Sequence, residues 1–310
     1  MRYREVGGVR FSVIGLGTWQ FGSREWGYGS DYADRVSLEL VEEALALGIN
    51  LFDTAEVYGF GRSERILGQA LGSHRRNALV ATKYAPVLPL RGKGRRHARR
   101  SASRLGIEEI DLYQLHFPNP LFSLTAQVAE FEPMLHAGDI RMLGVSNYSL
   151  EAWRRVQAAV NFPIWTNQVH LSLFSRRSVR EMVPWATAND RLVIAYSPLE
   201  QGLLSGRYDI GAKPSNLRRM RREFSDRTLI AFRSVRAVME RIAVNHDATV
   251  AQVALAWVLS HESVVAIPGA SSVAQLRSNA QAAEMVLTDD EYLDLSEVAE
   301  QMWPSGSEGR

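Results

Sequence analysis

Cysteine is absent from the 310-residue chain, which excludes disulfides, thiolate nucleophiles and thiolate metal ligands at once. No run of about 18 apolar residues occurs, so no transmembrane helix is expected. The opening residues, MRYREVGGVRFSVIGLGTW, hold no apolar stretch long enough for a secretory leader, and a cytoplasmic address is the expectation. An excess of one charge is missing too. Thirty-six basic against 34 acidic residues leave a formal net charge of +2, too weak a field to recruit nucleic acid or an anionic membrane. No metal-ligand cluster stands out, so no metal site is expected. No Ser-, Gly- or Pro-rich linker divides the chain, and residues 1–310 read as a single domain.

What is present is an ordinary globular composition, 46% hydrophobic and 23% charged, with ample material for a core. Short β-forming runs alternate with longer segments of helical period. The strand-like runs are Asn50–Asp53, Leu79–Lys83, Asp111–His116, Met142–Ser146, Thr166–His170, Arg191–Ser197, Val264–Pro268 and, more weakly, Glu284–Leu287. Between them lie amphipathic stretches such as Val36–Leu47, with Leu38, Val41, Ala44 and Leu45 on one stripe and Gly48 as a stop. Thr249-x-x-Gln252 and Thr288-x-x-Glu291 are capping boxes that open two more helices. Eight strands alternating with helices predict a parallel sheet closed into a (β/α)8 TIM barrel. Arg2–Gly17, with Gly7-Gly8 between two β-like runs, reads as an N-terminal β-hairpin outside the repeat. A long irregular stretch from Gly202 to about Arg227 follows strand six, and loops of that length usually bind something or are disordered.

In such a barrel the chemistry collects at the C-terminal strand ends and the loops after them. The first of these strands ends in Asp53 with Tyr58 in the following turn, the second in Lys83, the third in His116. A lone strand-end Asp caps the next helix, a lone Lys or Tyr is a solvated rim residue, and a lone His is usually structural. Their joint occurrence on three successive strands selects a catalytic reading. A phenol with a pKa of about 10 is a poor acid at neutral pH. A lysine ammonium beside it favours the phenolate and is expected to lower that pKa, and an aspartate keeps the lysine charged and placed. A neutral histidine orients the substrate oxygen or relays its proton. Proton transfer alone supplies no electrons, so an organic cofactor is implied.

The segments GINLFDTAEVYG, VATK, DLYQLH, GVSN, NQVH, YSPLEQGLLSG and AIPGASSVAQLRSN, in that order, resemble the aldo-keto reductases, and within them the bacterial reductases related to the β subunits of voltage-gated potassium channels. The resemblance covers nearly the whole chain. It implies the tetrad Asp53, Tyr58, Lys83 and His116, reduction of aldehydes and ketones, and NADPH/NADP+ as cofactor, with NADH as the variant. For the cofactor it implies Gly17, Thr18, Trp19 and Asp53 near the reacting end, with Ser146, Asn147 and Gln168 on the carboxamide and Tyr196 stacked on the nicotinamide. Ser197, Pro198, Leu199, Gly202 and Arg207 would follow the pyrophosphate, and Gly269, Ala270, Ser271, Gln275 and Asn279 the adenosine end. Ser272-x-x-Gln275 is equally a capping box, and a helix N-terminus after glycine suits phosphate in either case. Aldose reductases carry a lysine where Gly269 stands, so Ser271, Gln275 and Arg277 are left as partners for a 2′-phosphate. Substrate walls would come from Trp19, Trp26, Tyr28, Tyr58, His116, Phe117 and Pro118.

The same resemblance offers a second class: an NADPH-binding regulatory or redox-sensing module with little turnover. Turnover separates the two. Gly15-x-Gly17 lacks the third glycine and the helix of a Rossmann fingerprint and is set aside. The basic runs Arg91–Arg104 and Lys213–Arg222 have no interleaved aromatics and read as a solvated outer helix and a mobile loop. A small-molecule carbonyl compound is the expected partner, and oligomeric state is left open by these residues.

Overall fold

The computed structural model describes residues 1–22, 31–86, 93–214 and 217–303. An antiparallel hairpin comes first, β1 (Tyr3–Val6) and β2 (Val9–Ser12). Eight parallel strands follow: β3 (Leu16–Gly17), β4 (Leu51–Asp53), β5 (Leu79–Tyr84), β6 (Ile110–Leu115), β7 (Ile140–Ser146), β8 (Ile164–His170), β9 (Leu192–Tyr196) and β10 (Val264–Ala266), each paired with the next in chain order. Helices separate the strands: α1 (Asp31–Ala46), α2 (Arg62–Leu71), α3 (Gly94–Leu105), α4 (Leu124–Ala129), α5 (Glu132–His136), α6 (Leu150–Ala158) and α7 (Arg177–Ala188). They continue as α8 (Asp226–Asn245), α9 (Val250–Leu259), α10 (Val273–Gln281) and α11 (Asp289–Met302).

The barrel closes through residues that the sequence reading placed in the hairpin, outside the repeat. Gly15 N–H donates to Ala266 O at 2.8 Å, Ala266 N–H to Val13 O at 2.8 Å and Gly17 N–H to Pro268 O at 3.2 Å, with a parallel bridge between Ile14 and Ala266. Leu16–Gly17 is therefore the first barrel strand, and only residues 3–12 form the hairpin. Glu284–Leu287, expected as the eighth strand, is irregular chain between α10 and α11. Leu287 is buried there and Met285 packs against the helix–sheet core, which accounts for its apolar pattern without a ladder. The glycines of Gly15-x-Gly17 serve closure: a Cβ on Gly17 would sit 2.8 Å from Ile267 O, and one on Gly15 2.9 Å from Leu51 O.

Two cores result. The larger lies between sheet and helices. The smaller fills the barrel interior with Leu51, Leu79, Ala81, Leu112, Met142, Leu192, Ile194 and Val265, and Val6, Val9 and Phe11 of the hairpin join it. Inward-facing side chains that alternate with outward ones on every strand make this arrangement. The stripe on α1 is Ser37, Leu40, Val41 and Ala44, all buried, while Leu38 is 40% exposed; the expected stripe was rotated by one position. Both predicted capping boxes, at Thr249 and Thr288, form in full. The long loop now follows the seventh barrel strand, β9, and winds through short 3-10 turns at Glu200–Ser205, Leu217–Met220 and Arg222–Phe224 before α8.

Much of the basic run on α3 is engaged. Arg95 and Arg99 reach Asp139, and Arg104 Nε donates to the fully buried Glu64 Oε2 at 2.5 Å.

Candidate active site

At the C-terminal mouth, β4 ends in Asp53 and β5 carries Lys83 next to its end. Lys83 is fully buried, and all three ammonium protons find acceptors: Asp53 Oδ2 at 2.6 Å, Thr54 O at 2.9 Å and Tyr58 Oη at 3.2 Å. The other carboxylate oxygen of Asp53 accepts from Gln168 Nε2 at 2.7 Å. A buried ion pair is tolerable when its remaining donors and acceptors are met, and here they are. Tyr58 is held over Lys83 by a loop that turns through left-handed backbone at Gly59, Phe60 and Gly61. At Gly61 a Cβ would meet the Arg104 side chain at 2.6 Å. His116 follows β6; its ring stands edge-on to Tyr58 with centroids 5.8 Å apart, and its buried Nδ1 has no partner among the described residues.

Electrostatics assign each group a protonation state. Burial pulls the Lys83 pKa down, but Asp53 and Tyr58 pull it up by more, so the ammonium persists. Burial pushes the Tyr58 phenol up, Lys83 pulls it back and Asp53 pushes it up again, with a net rise. The expected net lowering by Lys83 is thus outweighed by desolvation, which favours the neutral acid. His116 is lowered to about 3, first by burial and then by Lys83; it is neutral at physiological pH.

These groups open onto a cavity of about 730 Å³, within the usual range for small-molecule sites. Its walls include Asp53, Tyr58 and His116 at one end, then Ser146, Asn147, Gln168 and Tyr196, the loop Ser197–Gly202, and finally Gly269, Ala270, Ser271, Gln275 and Asn279. Asn147, in left-handed backbone, donates from Nδ2 to His116 O at 3.0 Å and accepts from Tyr196 Oη at 2.9 Å. Gly17, Trp19 and Arg207 also line the cavity. Thr18 lies behind the wall, fully buried, donating to Asp53 O at 2.9 Å and sharing a hydrogen bond with Ser63. Phe117 sits against the His116 ring outside the lining. Trp26 and Tyr28 lie outside the described residues.

Arg277 does not reach the cavity. Its guanidinium forks onto Glu43 of α1 at 2.7 and 3.1 Å, on the opposite side of α10 from Gln275 and Asn279. The space a side chain at 269 would fill is taken by Gln20: a Cβ on Gly269 would meet its Oε1 at 2.6 Å, and Gln20 Nε2 donates to Ala270 O at 2.7 Å. Gln275 Oε1 accepts from Ser271 N and Oγ, both at 2.9 Å, while Ser272 caps α10. The arrangement is therefore half of the capping box the sequence suggested. Gln20, Tyr208, Arg218 and Arg221 line the cavity without having been singled out. The second basic run, Lys213–Arg222, was the available signal for both arginines.

A closed eight-stranded barrel with a lysine–aspartate–tyrosine cluster at its C-terminal mouth defines a class of oxidoreductase, and the sequence places the chain within it. Residues 13–300 match the aldo/keto reductase family, and the chain belongs to that family. It is similar, at 47% identity over 305 residues, to an uncharacterized oxidoreductase of Mycobacterium tuberculosis, covering 98% of this chain and 94% of that one. Among solved structures it is similar to the glycerol dehydrogenase AKR11B4 of Gluconobacter oxydans, with a TM-score of 0.87, 30% identity, and 99% and 98% of the two chains covered. An aldo-keto reductase of Klebsiella pneumoniae in complex with NADPH is also similar, with a TM-score of 0.78, 27% identity, and 98% and 96% covered.

Proposed function

We propose that the chain reduces aldehydes and ketones to alcohols with NADP(H), Tyr58 donating the proton to the carbonyl oxygen. The observation that carries this is the contact of one fully buried ammonium, Lys83, with both Asp53 and Tyr58 at the inner end of a cavity walled by phosphate-competent groups. The residues fit a dinucleotide. Arg207 and Arg221 are among the residues that line the cavity, and a guanidinium fork is of the kind that binds phosphate. The left-handed turn at Gln201 and Gly202 bends the loop after β9 along the same wall. Ser271 and Gln275 are the partners available to a 2′-phosphate, and NADH is the variant cofactor. When bound, the dihydronicotinamide supplies the hydride that the carbonyl carbon accepts.

The protein's own groups do the rest. The raised phenol keeps Tyr58 protonated until a carbonyl oxygen beside it gains negative charge. Lys83 then stabilises the phenolate left behind, and Asp53 holds Lys83 through one oxygen while Gln168 fixes the other. Neutral His116 keeps one ring N–H, which donates a hydrogen bond to the substrate oxygen, and with its pKa lowered to about 3 it is not the group that gives up the proton. Tyr58 recovers its proton from solvent through the open mouth. Positioned acid catalysis contributes about 10²–10⁴-fold.

Tyr58→Phe is the test. The variant should bind NADPH as the parent does, followed by tryptophan fluorescence, and lose at least two decades of turnover on 4-nitrobenzaldehyde or methylglyoxal. Undiminished turnover would remove Tyr58 from the mechanism; absence of NADPH binding by the parent would remove the proposal.

A further inference from the structure

The wall of the cavity at Tyr196 has a second layer. Against the Tyr196 ring, and outside the cavity lining, lies the imidazole of His170, stacked at 5.5 Å with an interplanar angle of 11°. His170 Nε2 is 2.8 Å from Glu200 Oε1. Glu200 is only 5% exposed and also accepts a hydrogen bond from Ser172 Oγ. Ser172 Oγ in turn accepts from the backbone N–H groups of Phe174 and Ser175, both at 3.0 Å.

Glu200 also sits in the loop that walls the cavity past Tyr196. Its φ is +48°, and Ser197 and Gln201 at +50° and +56° share that left-handed conformation. Non-glycine residues held there cost of the order of 1 kcal/mol or more each, so the surroundings must fix them. The buried carboxylate is the one side-chain anchor of this loop that reaches back to β8: Leu199 and Pro198 have apolar side chains, and the amide of Gln201 donates to Ser197 within the loop itself. A single group thus sets both the ring platform and the turn beyond it.

We infer that Glu200 and His170 are positioning residues, clamping Tyr196 from behind so that its cavity face is a fixed platform for the nicotinamide ring. This rests on the cofactor reading proposed above. The stack is worth a few-fold in affinity by the ordinary strength of aromatic pairs. Neither His170 nor Glu200 lines the cavity at Gly269–Ser271, Gln275 and Asn279, so loss of the His170 ring is expected to be felt at the ring end.

The experiment compares two probes on the parent and three variants: NADPH, and 2′,5′-ADP, which lacks the nicotinamide. His170→Ala should weaken NADPH binding by about three- to ten-fold and slow the hydride step in single turnover, with 2′,5′-ADP affinity unchanged. His170→Phe, which keeps a flat ring but leaves Glu200 only Ser172 as a side-chain partner, should recover most of the NADPH affinity. Glu200→Gln, which keeps the shape and removes the charge, should fall between the parent and His170→Ala. Equal losses for both probes in His170→Ala would mean a merely structural role and overturn the inference, as would unchanged NADPH binding or no recovery in His170→Phe. A parent that binds 2′,5′-ADP and NADPH while the variants behave alike sinks only the clamp; a parent that binds neither sinks the cofactor reading itself.

Discussion

Replacing Lys83 by Met removes the charge on which the acid's conjugate base depends while keeping a long flexible side chain in the same space. The Nζ lies 3.2 Å from the phenol oxygen. Two full charges at that distance, in an effective dielectric of about 20, attract by about 5 kcal/mol. A phenolate half developed in the transition state draws on roughly half of that, about 2.5 kcal/mol, or close to two decades in rate. Asp53 adds to the loss, because without Lys83 its carboxylate faces the forming phenolate with only Gln168 bound to it. The assay is single-turnover oxidation of NADPH by 4-nitrobenzaldehyde across pH. The rate should fall by about two decades, and the alkaline limb of the profile should move to higher pH because the phenol ionises later. Removing one partner of a buried ion pair also costs about 3–5 kcal/mol of stability. Lys83→Met combined with Asp53→Asn should recover much of that stability but only the share of the rate that the unpaired carboxylate had cost, which separates folding from chemistry. A loss below three-fold in the single variant, or an alkaline limb that stays where it was, refutes the electrostatic role of Lys83.

Two further outcomes concern stability. His261 is lowered by burial to about 4 and His116 to about 3, against about 6.5 in an unfolded chain. The folded state then binds fewer protons than the unfolded one below pH 6.5, so stability is full above that pH and is lost as pH falls toward 4 and 3. His261→Phe, which keeps the edge contacts to Trp257 and Tyr292, should lose less stability between pH 7 and 4.5 than the parent in urea unfolding; an equal loss would show that His261 is not a contributor. Gly144 faces the barrel interior between Gln114 and Thr166, where an added Cβ would lie 2.1 Å from Thr166 Oγ1. Gly144→Ala should destabilise by about 1–3 kcal/mol, and adding Thr166→Ala should restore part of it, a coupling read from the double-mutant cycle. Strict additivity would show that the overlap is relieved elsewhere.

The convergence of Asp53, Tyr58, Lys83 and His116 was legible because the four stand in fixed relation to strand ends, and strand ends are what periodicity locates best. The first strand was not, because two residues, Leu16 and Gly17, present no alternation to count; only the closing hydrogen bonds to Ala266 and Pro268 reveal it. Glu284–Leu287 misled for the converse reason: its apolar residues cover the outer core, and burial looks the same in sequence whatever backbone delivers it. The downward shift expected for Tyr58 considered the neighbouring charge alone, since a sequence shows that a lysine is near before it shows how dry the phenol is. Arg218 and Arg221 were visible as charges, but an arginine that walls a cavity and one that faces bulk water are written with the same letter.

Along its axis the barrel interior changes from hydrocarbon to an ionic cluster within a few residues of each strand. Leu112 and Met142 lie in the apolar layer, Gln114 and Gly144 two residues further on, and His116 and Ser146 at the mouth. The apolar layers exclude water from beneath Lys83, and that dryness strengthens its attraction for both Asp53 and a phenolate. It also raises the phenol, so that Tyr58 stays an acid rather than a resident anion. In the proposed mechanism acid strength in the resting protein is therefore low, and the lysine's contribution appears as the proton leaves. A wetter barrel would ease the burial of the ion pair and weaken the stabilisation of the phenolate by the same stroke, which ties the chemistry at the mouth to the packing of Leu112, Met142 and the hairpin below it.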